Sequence, residues 1–222
     1  DGYDFGSMSD DIAIFMDTLR LDRPTLVGQS WGANVALDFA VSHPEQVSRL
    51  VLIDGGISQL STRPGWSWEK AEIDLAPPDL THLTPSDLLS RVRSRNPNSD
   101  WDVQREQILL SLFEVSANGT VRPHLSRSNH MKILWSIWNQ PITDLFPKIR
   151  CPVLLLPVAP DTTTHSVDAV QSKYQDVKVA ESLIAHVRTH WMMDSIHDVQ
   201  LQKPQRVSDL IKTFFEATTE LA

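Results

Sequence analysis

A serine flanked by two glycines, set between an aliphatic run and an apolar segment, constrains the fold of this chain most. The pentapeptide Gly28-Gln29-Ser30-Trp31-Gly32 follows the β-prone residues 25–27 and precedes the mostly apolar residues 33–40. Glycine at both flanks permits a tight, strained turn, because a Cβ at either flank would meet crowded backbone. The pattern predicts a strand, a sharp turn and a buried helix, with the Ser30 hydroxyl above the edge of a sheet.

The bare pattern is weak on its own. Glycine and serine are common enough that the pattern arises by chance in fewer than about 10% of chains this long. The strand predicted before it and the buried helix predicted after it make it more specific. In the alternative interpretation, Ser30 is only a helix-capping serine.

Three further segments predict strands of a parallel sheet. Residues 50–53 and 153–156 are continuous runs of Leu, Val and Ile, which are typical of strands covered on both faces. Residues 185–192 are expected to form a further strand after an intervening helix. Helical segments lie between them, and an amphipathic helix over residues 206–216 closes the chain. Strands that alternate with helices indicate an α/β fold with a parallel sheet.

The first helix is predicted over residues 9–19, with Ser7 or Ser9 as its N-cap. Asp10 and Asp11 would lie in the first turn, where acidic side chains favour the positive end of the helix dipole. Apolar residues recur with helical spacing and are expected to share one face of this helix: Ile12, Phe15, Met16 and Leu19.

Residues 57–148 predict a helical insertion between two strands of the sheet. Helical stretches are expected over residues 84–93, 101–115 and 126–138. Five tryptophans of this segment could either cover an apolar pocket or only pack helix on helix: Trp66, Trp68, Trp101, Trp135 and Trp138. We therefore expect a core made of residues 1–56 and 149–222, and a lid made of residues 57–148.

The composition and the net charge limit the classes of partner that the protein can bind. The chain of 222 residues is long enough for one domain with an inserted subdomain, and its net charge of −8 argues against nucleic acid or an anionic membrane surface as a partner. No apolar run approaches the roughly 20 residues needed to span a bilayer, and residues 1–10 are not signal-like, so a cytoplasmic location is expected. Cys151 is the single cysteine, and no Cys and His cluster has zinc-ligand spacing, so no metal and no cofactor are expected.

Several segments resemble the α/β-hydrolase family, especially its serine esterase and lipase-like members. The stretch TLVGQSWGANVALDFAVSHPEQVSRLVLIDGG at residues 25–56 is similar to that family's nucleophile elbow, the following helix and the next strand. Residues 151–156 resemble the strand before the triad acid, and residues 195–204 resemble the loop and last helix that carry the triad histidine. The resemblance implies a partial α/β-hydrolase fold with a helical lid insertion, and catalytic residues in the order serine, acid, histidine.

The resemblance assigns the nucleophile to Ser30 and the general base to His197. A serine hydroxyl is a poor nucleophile until an imidazole takes its proton, and that imidazole needs a carboxylate to hold its tautomer. His186 and His190 compete for the role of base, but both belong to the region of the last strand. A loop after that strand suits a base that must reach Ser30, so His197 is preferred.

The acid has two candidates. Asp161 follows the third strand by a short loop, as the family's acid does, although the residues before it lack the usual glycine-containing turn. Asp54 ends the second strand, a position that holds the acid in some members of the family, and it could otherwise be a turn or capping aspartate. Asp161 is preferred and Asp54 stays open, whereas Asp194 and Asp198 are expected on the loop surface.

The resemblance also implies an oxyanion hole made of two amides. Trp31 would supply the first, and the second is expected from a loop that precedes residue 1 in the complete fold. Residues 1–6 resemble the segment after the fourth strand of that fold, so the earlier strands are expected to be absent. Loss of one donor costs about 3 to 4 kcal/mol of transition-state stabilisation, and the strand at residues 25–27 would have an unpaired edge. We expect self-association there, or pairing with the missing N-terminal segment.

These observations predict a serine hydrolase that cleaves a carboxylic ester-type bond of a small, largely apolar substrate through an acyl-enzyme on Ser30. Hydrolysis of a lactone or of a carbon–carbon bond, or cofactor-free perhydrolysis, are alternatives within the same fold. Dehalogenase and epoxide-hydrolase chemistry are disfavoured, because those relatives have an aspartate where this chain has Ser30. The alternative from another class is a catalytically impaired remnant that binds a ligand or a partner.

Overall fold

The computed structural model describes residues 2–95, 101–160 and 166–218. Its helices and strands in chain order are α1 (Phe5–Leu19), β1 (Thr25–Gln29), α2 (Trp31–Ser42), β2 (Arg49–Ile53), α3 (Trp68–Asp74), α4 (Pro85–Arg95), α5 (Val103–Leu110), β3 (Phe113–Val115), β4 (Val121–Pro123), α6 (Arg127–Asn139), α7 (Ile142–Leu145), β5 (Val153–Leu156), α8 (Val167–Leu183), β6 (Val187–Thr189), α9 (Val199–Gln202) and α10 (Pro204–Thr218). Short 3-10 helices lie at Pro44–Gln46, Leu60–Thr62 and Phe146–Lys148.

The main sheet is parallel and has the strand order β1-β2-β5-β6. Its two central strands, β2 and β5, are buried almost throughout, because helices cover both faces. This arrangement confirms the predicted α/β fold with a parallel sheet. Because parallel strands end at a common edge, residues that follow β1 and β2 are brought close together there.

Two hydrophobic clusters cover the two faces of the sheet. Successive side chains of a strand point to opposite faces, so Leu50 and Leu52 of β2 join one cluster and Val51 and Ile53 join the other. The first cluster includes residues of α1, α2 and α8. The second includes Val207 and Phe214 of α10. The site at the edge of the sheet therefore stands on strands that are fixed from both sides.

The first helix differs from its prediction at its start and in its burial. Asp4 is the N-cap, and its carboxylate accepts a hydrogen bond from the Ser7 amide at 2.9 Å; the prediction of Ser7 or Ser9 as the cap was wrong. Of the predicted apolar face, Met16 is buried, whereas Phe15 and Leu19 are exposed. Met16 and the partly buried Ile12 pack in the first hydrophobic cluster, whereas Phe15 and Leu19 do not belong to it.

The segment between β2 and β5 is largely helical and contains α3 to α7. The helix predicted over residues 101–115 ends at Leu110, however, and β3 pairs with β4 as an antiparallel hairpin. That hairpin corrects the prediction of one helix over residues 101–115. No helix among the described residues has the length and apolar character needed to cross a membrane.

Strand β1 lies at the edge of the main sheet, where another strand could pair with it. Within the described residues β1 pairs with β2 alone, and Val27 is half exposed. We propose that a second copy of this chain, or a further segment of the protein, pairs with this edge, because an unpaired apolar strand is a template for pairing. Analytical ultracentrifugation of the chain at micromolar concentration is expected to give an oligomer that Val27→Lys weakens. A matched Val103→Lys change on α5 should leave it intact, and a monomer for the unmodified chain would contradict pairing between two copies.

Candidate active site

The turn between β1 and α2 has the strained geometry that the pentapeptide predicts. Ser30 has φ 53° and ψ −124°, and its amide donates to the Ile53 carbonyl at 2.9 Å. A Cβ on Gly28 would lie 2.3 Å from the Gly32 carbonyl oxygen, so glycine is needed there. A Cβ on Gly32 would meet nothing within 4 Å among the described residues. The requirement for glycine at both flanks was therefore wrong for Gly32.

The turn after β2 packs directly on the Ser30 backbone. A Cβ on Gly55 would lie 2.1 Å from the Ser30 carbonyl oxygen, so only glycine lets the two turns approach this closely. Asp54, the residue before it, has φ 44°, a left-handed conformation that is uncommon outside glycine. The close approach brings the Asp54 carboxylate to the same end of the sheet as the Ser30 hydroxyl.

A chain of two hydrogen bonds joins Ser30, His197 and Asp54. His197 Nε2 lies 2.9 Å from Ser30 Oγ, and His197 Nδ1 lies 2.6 Å from Asp54 Oδ2. Ser30 occupies the N-cap position of α2, but its side chain makes no capping hydrogen bond and faces His197 instead. This is the geometry in which an imidazole can take the hydroxyl proton while a carboxylate fixes its tautomer.

The Asp54 carboxylate is buried, and both of its oxygens have hydrogen-bond partners. Its side chain is 6% exposed. Oδ1 accepts from the Val158 amide at 2.9 Å and from Lys173 Nζ at 2.7 Å, while Oδ2 faces His197. Burial raises the pKa of this carboxyl, but the hydrogen bond from His197, the Lys173 ammonium and the Val158 amide outweigh it and hold the pKa below its ordinary value. Asp54 therefore stays ionised at neutral pH.

His197 lies on the loop after β6, and its side chain remains partly open to solvent. The hydrogen bond to Asp54 raises the pKa of the imidazole, burial lowers it in part, and the charges of Asp54 and Asp198 raise it further, against a smaller lowering by Lys173. The net pKa lies above that of an ordinary histidine. Gln29 supports this loop, because its Nε2 donates to the His197 carbonyl at 3.2 Å.

The other candidate residues do not join this arrangement in the part of the chain that the structure describes. Asp161, the preferred acid, lies outside the described residues. His190 follows β6, and its Nε2 lies 2.9 Å from the Arg206 guanidinium. Asp194 and Asp198 are exposed on the loop, as expected.

The Trp31 amide, which the resemblance assigns to an oxyanion hole, lies at the start of α2. Trp31 is the first residue of α2, and the first amides of a helix have no carbonyl partner within it. The positive end of the helix dipole lies at the same point. The indole Nε1 of Trp31 is buried without a hydrogen-bond partner among the described residues.

A buried amide pair that sequence reasoning missed holds the turn after Asp54. Asn34 Oδ1 accepts from the Gly56 amide at 3.1 Å, and Asn34 Nδ2 donates to Gln140 Oε1 at 2.7 Å. Gln140 Nε2 returns a hydrogen bond to the Asn34 carbonyl at 3.0 Å. The signal was available, because Asn34 is a polar residue in a mostly apolar helix, and a buried amide needs partners.

Comparison with known proteins identifies the family. The sequence model described as the alpha/beta hydrolase fold matches residues 1–112, which is half of the chain. The chain belongs to the alpha/beta hydrolase fold family. In solved structures, the esterase EaEST from Exiguobacterium antarcticum is similar over 97% of this chain and 75% of its own, with a TM-score of 0.67 and 19% identity. That similarity concerns the fold.

Two curated relatives match shorter segments of this alpha/beta hydrolase. A 2-hydroxy-6-oxononadienedioate/2-hydroxy-6-oxononatrienedioate hydrolase from Paraburkholderia phymatum is 51% identical over 41 residues, which are 18% of this chain and 14% of the relative. The AB hydrolase superfamily protein YisY from Bacillus subtilis is 31% identical over 77 residues, 33% of this chain and 29% of the relative. The matched segments thus span less than a third of either relative.

Proposed function

We propose that this alpha/beta hydrolase is a serine hydrolase that cleaves a carboxylic ester-type bond of a small, largely apolar substrate. The proposal rests on the two hydrogen bonds that link Ser30 Oγ to the His197 ring and the His197 ring to Asp54 Oδ2. An imidazole between a hydroxyl and a buried carboxylate is the arrangement that activates a serine at neutral pH.

In the first half-reaction, Ser30 Oγ attacks the carbonyl carbon of the ester as His197 Nε2 takes the hydroxyl proton. The carbonyl oxygen becomes an oxyanion, which the Trp31 amide stabilises. The tetrahedral intermediate then collapses, the bond to the alkoxide breaks, and His197 gives the proton to the departing alcohol. The product that remains is an acyl ester on Ser30.

In the second half-reaction, water takes the place of the alcohol. His197 Nε2 removes a proton from the water, whose oxygen attacks the acyl carbon, and the same proton returns to Ser30 Oγ as the carboxylic acid leaves. Asp54 stays ionised throughout and stabilises the imidazolium that forms in both steps. No group outside the described residues is needed for the proton transfers.

The preference for an apolar substrate rests on the segment at residues 57–148, which we propose acts as a lid. Trp68 contacts Trp135 edge to face with ring centroids 4.7 Å apart, and it lies 6.1 Å from the ring of Trp138. Trp135 is half exposed. Aromatic rings of this kind provide a large apolar area, which suits an apolar acyl chain better than a charged substrate.

A fluorophosphonate probe tests the proposal. It should label the chain once, with the added mass on the peptide that contains Ser30, and Ser30→Ala should remove the label. The same protein should hydrolyse p-nitrophenyl esters and prefer medium to very short acyl chains. A folded protein without label or turnover would contradict the proposed function, and specific ligand binding under those conditions would support the non-catalytic alternative.

The match to the Paraburkholderia protein favours a second candidate, hydrolysis of a carbon–carbon bond next to a carbonyl group. That relative is a hydrolase of 2-hydroxy-6-oxononadienedioate, and the same three side chains can serve such a reaction. Turnover of this dicarboxylate at a rate above that of every p-nitrophenyl ester would favour the second candidate over the first.

A further inference from the structure

A lysine on α8 contacts the buried acid of the proposed triad. Lys173 Nζ lies 2.7 Å from Asp54 Oδ1, on the oxygen that does not face His197. The Lys173 side chain is 27% exposed, so its charge is partly withdrawn from water. The proposed hydrolysis assigns Lys173 no step, because the lysine contacts neither Ser30 nor the His197 ring in the hydrogen-bond network described above.

We propose that Lys173 is a positioning residue, which orients the Asp54 carboxylate toward His197 and partly neutralises it, so that His197 works as a base at a lower pH. The inference rests on the proposed serine hydrolase function and deepens it. It concerns how the acid is held, and not whether the acid takes part.

The orientation follows from the division of donors between the two carboxylate oxygens. Two donors, the Lys173 ammonium on α8 and the Val158 amide after β5, hold Oδ1, which leaves Oδ2 for His197 Nδ1. A carboxylate with one oxygen fixed twice cannot rotate away from the imidazole without breaking charge-assisted hydrogen bonds. The donors of Asp54 therefore determine where His197 points.

The electrostatic effect follows from the charges around His197. Among the described residues these are Asp54 at the end of β2, Asp198 on the same loop and Lys173 on α8. The two aspartates favour the imidazolium, and the lysine opposes it. Without the lysine, the full charge of a buried carboxylate would act on the ring, and His197 would keep its proton to a higher pH.

The test is the pH dependence of kcat/KM for a p-nitrophenyl ester, whose acid limb reports protonation of the base in the free enzyme. Lys173→Met is expected to move this limb to higher pH by about one unit. Lys173→Arg keeps the charge and should leave the limb within a few tenths of a unit of the original. Lys178→Met, an exposed lysine on the same helix, is the matched control and should move nothing.

A readout that is independent of turnover separates this inference from the proposed function. NMR titration of the His197 ring in Ser30→Ala and in Ser30→Ala with Lys173→Met should show the same upward shift, even if no substrate is found. An unmoved ring titration and an unmoved acid limb would overturn the role of Lys173 and leave the hydrolase proposal standing. If Lys173→Met does not fold, Lys173→Gln in the same titration gives the answer.

Discussion

Replacement of Ser30 by alanine is expected to lower kcat for p-nitrophenyl esters by about 10⁶-fold, to a small residual rate. The variant removes the atom that forms the acyl-enzyme, while His197 and Asp54 stay in place with nothing to activate. Binding and a single oxyanion donor can contribute only a small residual rate. The loss should appear in kcat rather than in KM, because the hydroxyl acts in the chemical steps.

The measurement is steady-state hydrolysis by purified wild-type and variant protein, with the melting temperature as a check on folding. The Ser30 side chain makes no capping hydrogen bond, so its removal should change the melting temperature little. Ser116→Ala, in the turn of the β3–β4 hairpin, is a matched control and should retain full activity. Residual turnover by Ser30→Ala within about tenfold of wild type would show that another residue is the nucleophile, since a triad serine contributes several orders of magnitude more.

The parts of the fold that could be predicted are those in which a local pattern decides the structure. The runs at β2 and β5 are aliphatic throughout, because strands covered on both faces need apolar residues at every position. The turn at Ser30 needs glycine at Gly28, where a Cβ would strike backbone. In both cases the physical requirement concerns a few consecutive residues, and the sequence alone therefore carries it.

The hairpin formed by β3 and β4 was missed because its strands have only three residues each. Three residues are too few for an alternating pattern to stand out. The signal lay in the turn, where Asn118 precedes Gly119, and Gly119 has φ 82°. An Asn-Gly pair between two short apolar stretches is a strong local indication of a hairpin.

The acid of the site could not be decided by sequence because both candidates follow a buried strand. Asp54 follows β2 and Asp161 lies a few residues after β5, and the chain order of residues permits either. What places Asp54 beside His197 is a set of contacts between distant segments: the Gly55 turn against Ser30, the Val158 amide and Lys173. Only Gly55 belongs to the local sequence around Asp54, and a glycine there does not show which acid faces His197.

A pair of substitutions separates the two acids. Asp54→Asn is expected to lower kcat by about 10⁴-fold, because a neutral amide neither holds the required tautomer nor stabilises the imidazolium. The change also leaves the Lys173 ammonium without its carboxylate, which costs about 3 to 5 kcal/mol when a buried pair loses one partner. Because the Lys173 side chain is 27% exposed, solvent screens its charge and the loss of stability is smaller than this. The variant should therefore fold, with a lower melting temperature.

Asp161→Asn makes the same chemical change at the other candidate and serves as the comparison. If Asp54 orients His197, this variant should retain kcat within about threefold, since no triad contact is lost. Both proteins should be assayed on the same ester at a pH well above the acid limb, so that protonation of His197 does not mask the difference. A loss of about 10⁴-fold in Asp161→Asn, with Asp54→Asn nearly unaffected, would assign the acid to Asp161. In that case the contact between His197 and Asp54 would serve only to hold the loop.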